Sequence, residues 1–145
     1  MVNLLRNQLI IFTGLRWSIL KDSTLRNLEG VHPNLQKIIK TTITDSPVSF
    51  TVVEGLRTRA RQQALFAQGR TRFGPRVTNV DGIKRRSNHQ AKPDGFGHVV
   101  DIYPYFLGQV QVNHKDTIKN LRLIADHIKK IARSLNLEIS WGGDW

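Results

Sequence analysis

Residues 70–97 hold four glycines and two prolines among mostly polar side chains, so no helix or strand runs through them. Any fold must join the patterned segments on either side across this long connection. Connections of that length in a compact domain are functional or disordered. Upstream, "STLRNLEG" predicts a short helix capped by Ser23, carrying Leu25 and Leu28 and ended by Gly30. Pro33 opens a second helix with Leu35, Ile38 and Ile39 on one face. "VSFTVVEG", 48–55, is β-branched and aromatic and predicts a strand. "RTRARQQALFAQG", 57–69, predicts a helix with Ala60, Ala64, Leu65 and Ala67 available for packing, closed by Gly69.

Downstream, "HVVDIY", 98–103, predicts the next strand. Residues 115–136 predict the longest helix, with Ile118, Leu121, Ile124, Ile128 and Ile131 or Ala132 at three-and-four spacing. "LEISW", 137–141, predicts a final strand. This order predicts an α+β fold, a small, largely antiparallel sheet flanked by helices. The length of 145 residues suits one domain. Residues 1–14 are apolar without a strong cap and stand apart as an N-terminal extension.

The chain has no cysteine. Disulfides and thiolate zinc sites are excluded, and any metal site must use histidine and carboxylate. The net charge of +11 predicts attraction to polyanions without choosing among nucleic acid, anionic membrane and acidic cell wall. The apolar run Leu9–Phe12 is too short for a membrane span or a signal-peptide core. The expectation is a protein made in the cytoplasm without a signal peptide and with no transmembrane segment.

"SNHQAKPDGFGHVVDIYP", 87–104, concentrates the chemistry. Alternation along a strand puts Val99 and Asp101 on one face and His98, Val100 and Ile102 on the other. A carboxylate between apolar neighbours needs compensation if buried, and a metal would supply it. His98 then points away from Asp101, whereas His89, in the loop, can fold back toward it. His89 and Asp101 are therefore the favoured ligand pair. The residues alone leave open that Asp101 pairs with an arginine or lysine and that His89 is a surface residue.

The chain resembles the VanY-like peptidases, which include D-alanyl-D-alanine carboxypeptidases and L-alanyl-D-glutamate endopeptidases of phages and bacteria. Their pattern S-x-H then G-x-A-x-D is met by Ser87, His89, Gly97 and Asp101, with Val99 in place of the alanine. The usual gap between histidine and glycine is lengthened here by "QAKPDGF". "EGLRTRARQQALFAQGRT", 54–71, resembles the family's G-x-R-T and its following helix. "LRWSILKDSTLRNLEGVHPNLQKII", 15–39, and "ISWGGDW", 139–145, resemble its opening segment and late turn. The likeness covers residues 15–145.

That resemblance implies a Hedgehog/DD-peptidase-like fold and a zinc peptidase acting on the peptidoglycan stem peptide. It implies His89 and Asp101 as zinc ligands, Arg57 against substrate carboxylate or oxyanion charge, and Ser87 at the substrate. It implies a third ligand and a general base from a D-x-P-H-F segment expected beyond Trp145. His32, His98, His114, His127 and Asp144 do not match it. The 145-residue chain is accordingly expected to hydrolyse peptidoglycan poorly. Action at the cell wall or periplasm, affinity for the anionic wall and release through a holin complete the expectation. One other reading is a family member that only binds wall fragments. Another is a basic nucleic-acid module built on "GRTRFGPRV" and "IKRRSNHQ" with Phe73 as a stacking residue. No helix-turn-helix or RNA-recognition signature accompanies that module, so no specific nucleic acid is expected.

Overall fold

The computed structural model describes residues 22–144. The predicted extension, 1–14, lies outside them. Helical residues 22–27 lead into a turn in which Gly30 takes a φ of 72°, a left-handed conformation that glycine adopts without penalty. Ser23 lies within this helical stretch and is not its cap. α1 (Pro33–Thr42) starts with proline in its first turn and with the His32 side chain accepting from the Asn34 N–H. It buries Ile38, Ile39 and Thr42.

β1 (Phe50–Glu54) pairs antiparallel with β2 (Asp101–Phe106), which pairs antiparallel with β3 (Gln109–Val110). On the far edge of β1, the helical stretch takes over from a strand. Val52 N–H donates to Thr24 Oγ1 at 3.0 Å, and Asn27 Nδ2 donates to the Val52 carbonyl at 2.7 Å. Backbone groups that would template another strand are thus satisfied by side chains. The α+β expectation, with a small antiparallel sheet, is met.

α2 (Arg59–Ala67) is capped by Thr58, whose side chain accepts from Arg61 N–H. It begins later than predicted, so Arg57 lies outside the helix. Ala60 is exposed, and the residue the helix buries is Gln62. α3 (Thr117–Ser134) packs Ile124, Ala125, Ile128 and Ala132 inward. Ile118, counted in its apolar face from spacing, is exposed because it sits in the first turn, beyond the edge of the core. α3 closes with Asn136 at a φ of 54°, Leu137 N–H donating to Ala132 O and Asn136 N–H to Arg133 O. That is a Schellman ending with asparagine in the left-handed position. The core joins Leu28, Ile38, Ile39, Phe50, Val52, Ile102, Ile124 and Ile128 between the helices and the sheet.

Two expectations about strands are corrected, and a third strand is added. Residues 137–141 form no strand; Leu137, Ile139 and Trp141 pack on the core while Glu138 and Ser140 face out. Period-two burial is present there without a hydrogen-bonded ladder. β2 begins at Asp101 and runs to Phe106, so 98–100 precede it. β3 was not foreseen, because its turn uses Leu107 and Gly108, with φ of 53° and 77°, where Asn-Gly is the readable signal.

Candidate active site

The register of β1 on β2 builds the site. Val52 faces Ile102, but the next rung sets Glu54 opposite Asp101, leaving Val53 as an extra residue. Such a bulge re-aims the side chains beyond it. Here it brings two carboxylates to one end of the strand pair. Gly55 then lets the chain pass tightly: a Cβ there would lie 2.0 Å from the Asn27 carbonyl oxygen.

His89 is fixed by the segment that follows β1. Its Nδ1–H donates to the Gly55 carbonyl at 2.8 Å, and its own carbonyl accepts from Arg57 N–H at 2.8 Å. Ser87 Oγ accepts from His89 N–H at 3.2 Å. A carbonyl can only accept, so Nδ1 carries the proton and Nε2 is the ring atom left to act. Nε2 lies 3.3 Å from Asp101 Oδ2. Burial disfavours the charged imidazole. The hydrogen bonds and charge of Asp101 and the Gly55 carbonyl outweigh that, and hold the His89 pKa above its ordinary value.

Gly97 lies beneath His89, where a Cβ would meet the His89 carbonyl oxygen at 2.9 Å.

Arg57 is the cation between the carboxylates. Its NH2 pairs with Glu54 Oε2 and lies 3.7 Å from Asp101 Oδ2. Its NH1 donates to Gln62 Oε1 at 2.7 Å. The side chain is 9% exposed, and Nε is buried without a hydrogen-bond partner among the described residues. Arg57 therefore offers a substrate its field more than a free fork. Glu54 is drawn two ways: burial raises its pKa, while Arg57 and Arg61 lower it, and the pair win. Gln62 in turn donates to Val80 O at 2.7 Å and so ties Arg57 to the loop.

The predicted pair thus comes together: His89 is buried, and the Asp101 side chain is 48% exposed. Asp101 sits at the first residue of β2 rather than mid-strand, so its carboxylate has solvent on one side. The donor set fits a metal. A ligating imidazole characteristically gives its other N–H to a carbonyl or carboxylate, and His89 does so. Among the described residues no third histidine or carboxylate completes a three-ligand set with this pair.

His98, expected to turn away by strand alternation, does lie apart, but for another reason. It precedes the strand, bonds Asp94 Oδ2 at 2.7 Å and lies tilted against His32, with ring centroids 5.0 Å apart. His127 bonds Asp45, His114 Nδ1 accepts from Asp116 N–H, and Asp144 pairs with Lys129. The roles of Glu54, Gly55 and Gln62 were missed. The only sequence signal for them was their position around G-x-R-T.

A cleft of about 1570 Å³ runs past His89 and Asp101, with Arg85, Arg86 and Lys92 among its walls. Phe73 is fully exposed. Arg70, by contrast, lies over Phe66 and donates to the Phe66 and Thr78 carbonyls. Part of the basic loop is thus structural. No helix among the described residues is long and apolar enough to cross a membrane.

The family model for phage L-alanyl-D-glutamate peptidase matches residues 17–145. The L-alanyl-D-glutamate peptidase of Escherichia phage T5 is 25% identical over 120 residues, covering 83% of this chain and 76% of that protein. The crystal structure of Serratia marcescens L-Ala D-Glu endopeptidase ChiX superposes with a TM-score of 0.65 at 30% identity, covering 85% of this chain and 77% of that one. The strand-end Asp101, the loop-borne His89 and Arg57 beside Asp101 occur in a chain that belongs to the phage L-alanyl-D-glutamate peptidase family.

Proposed function

We propose that this peptidase cleaves the amide between L-alanine and D-glutamate in the peptidoglycan stem peptide, with zinc as its cofactor. The observation that carries the reading is His89 itself: Nδ1 anchored on Gly55 and Nε2 turned to Asp101. His89 and Asp101 hold the metal. Zinc at such a site supplies Lewis-acid polarisation of the scissile carbonyl and lowers the pKa of water.

The chain's own residues do the rest. Gly55 fixes the ring angle of His89 and engages its Nδ1–H, which aims Nε2 at the metal position. Glu54 and Gln62 hold Arg57 beside Asp101, and its charge favours negative charge that develops on the substrate. Ser87 Oγ already accepts from the backbone, which leaves its O–H to donate to substrate. Arg85, Arg86 and Lys92 along the cleft draw in the anionic wall.

The test is product analysis. Purified peptidoglycan is digested with excess protein over a long incubation, as the slow hydrolysis expected of this chain requires, with zinc present, and the fragments are read by mass spectrometry. Peptides beginning with D-glutamate, lost on chelation and in Asp101→Ala, are expected. Release of terminal D-alanine instead would reject the assigned bond, and undiminished cleavage after chelation would reject the metal.

A further inference from the structure

We infer that His32, Asp94 and His98 form a second metal site, for a divalent transition-metal ion of the zinc class, which pins the inserted loop to the start of α1. Each residue offers one ligand atom, and the three atoms lie within 4.8 Å of one another. Zinc takes nitrogen and oxygen ligands at about 2.0–2.2 Å, which spaces tetrahedral ligands roughly 3.3–3.6 Å apart. The cluster is within about 1.5 Å of that spacing. Two imidazoles with one carboxylate is a donor set suited to zinc and its neighbours in the first row.

The backbone brings the ligands together independently of their own hydrogen bond. Val31 and Gly97 form a parallel bridge, with His32 N–H on Gly97 O at 2.8 Å and Gly97 N–H on Gly30 O at 2.9 Å. That bridge puts His32 and His98 side by side. His98 N–H also reaches Asn88 O at 2.9 Å. The turn 92–96 is closed by Lys92 N–H on Phe96 O and Gly95 N–H on Lys92 O. It presents Asp94 with Oδ1 engaged by Phe96 N–H and Oδ2 facing His98.

Asp94 comes from "QAKPDGF", the run that lengthens the gap between His89 and Gly97. The longer loop thus carries its own third ligand. A proton on His98 can join only one imidazole to the Asp94 oxygen, whereas a cation serves all three groups. His32 and His98 also line the cleft that holds His89 and Asp101. The ion would therefore sit at the rim of the proposed catalytic centre while using none of its residues. His32 Nδ1 now accepts a 3.2 Å bond from Asn34 N–H, a weak contact for a metal bond to displace or accommodate.

Metal counting on the whole chain tests the inference. Chelator-stripped protein is titrated with zinc by calorimetry as wild type, Asp101→Ala, and Asp101→Ala combined with His98→Ala. The single variant is expected to keep a zinc-binding event that the added His98→Ala weakens by about tenfold or more. Histidine NMR of the wild type supplies a second readout that needs no variant to fold: the His32 and His98 ring signals are expected to shift on zinc addition. No zinc uptake by Asp101→Ala up to about 1 mM, uptake indifferent to His98→Ala, or ring signals that stay put would overturn the site. His98→Ala alone is expected to keep the His89 ring shift, so failure of the catalytic site reads out separately.

Discussion

Two histidine–aspartate groupings lie along one cleft, and they are built in opposite ways. His89 and Asp101 are few in ligands and rich in support. One is clamped by backbone on both sides and the other begins a strand rooted in the core. His32, Asp94 and His98 are complete in ligand number, but His32 is a half-buried helix cap and the other two are exposed. In the first grouping the protein fixes direction through buried hydrogen bonds, and the ring is set before any ligand arrives. In the second, proximity comes from one bridge and one turn. The contrast teaches that ligand count and preorganisation are separate properties, and that a catalytic role asks for the second.

Asp101→Ala should make the largest difference. Whatever peptidoglycan hydrolysis the chain shows should fall to the uncatalysed background, measured as fragment release. Zinc binding at His32, Asp94 and His98 should persist. Loss of both together would mean that the groupings are one site.

Glu54→Gln comes next, because it strikes the support and leaves the ligands. It takes the nearer carboxylate from the buried Arg57 charge and leaves Asp101 at 3.7 Å, at a cost near the lower end of about 3–5 kcal/mol, read from denaturant midpoints. The pH sign is fixed by the depressed Glu54 pKa. Its stabilisation is present above the ordinary value and is lost as pH falls through the lower folded value. The variant should therefore lose part of the wild type's acid-side decline in stability. An unchanged midpoint would show that Arg57 needs no partner.

Gly97→Ala probes the hinge between the groupings. The added Cβ meets the His89 carbonyl oxygen at 2.9 Å and Leu56 at 3.2 Å. A loss of about 1–3 kcal/mol is expected, with weaker zinc binding at both places. Weakening of only one would show that they are mechanically independent.

The smallest effect belongs to His98→Ala. Zinc at ten times its Kd should stabilise an intact second site by about 1.4 kcal/mol. Thermal melts with and without zinc should show the wild-type stabilisation reduced by about 1 kcal/mol or more in the variant.

Much of this was legible in local pattern. The inward faces of α1 and α3 follow from three-and-four spacing, as Ile38, Ile39, Ile124 and Ile128 show. Pro33 announced its helix, and the absence of cysteine confined the ligands to histidine and carboxylate. Where the reading erred, a ladder decided the outcome. "LEISW" has strand pattern, yet forms no ladder among the described residues. "QV" has almost no strand signal, yet pairs with Tyr105 and Phe106 across a tight turn.

The site divides along the same line. By itself the sequence determined which groups are available, namely His89, Asp101 and Arg57, and set them in motifs that imply their chemistry. Residue type and spacing are local properties that a chain carries before it folds. Only the tertiary structure decided how the groups are aimed. The bulge at Val53 puts Glu54 across from Asp101, the Gly55 carbonyl turns His89 from 34 residues away, and the bridge at Gly97 draws His98 to His32 and Asp94. Those choices depend on register and on hydrogen bonds between distant segments, which no local periodicity encodes.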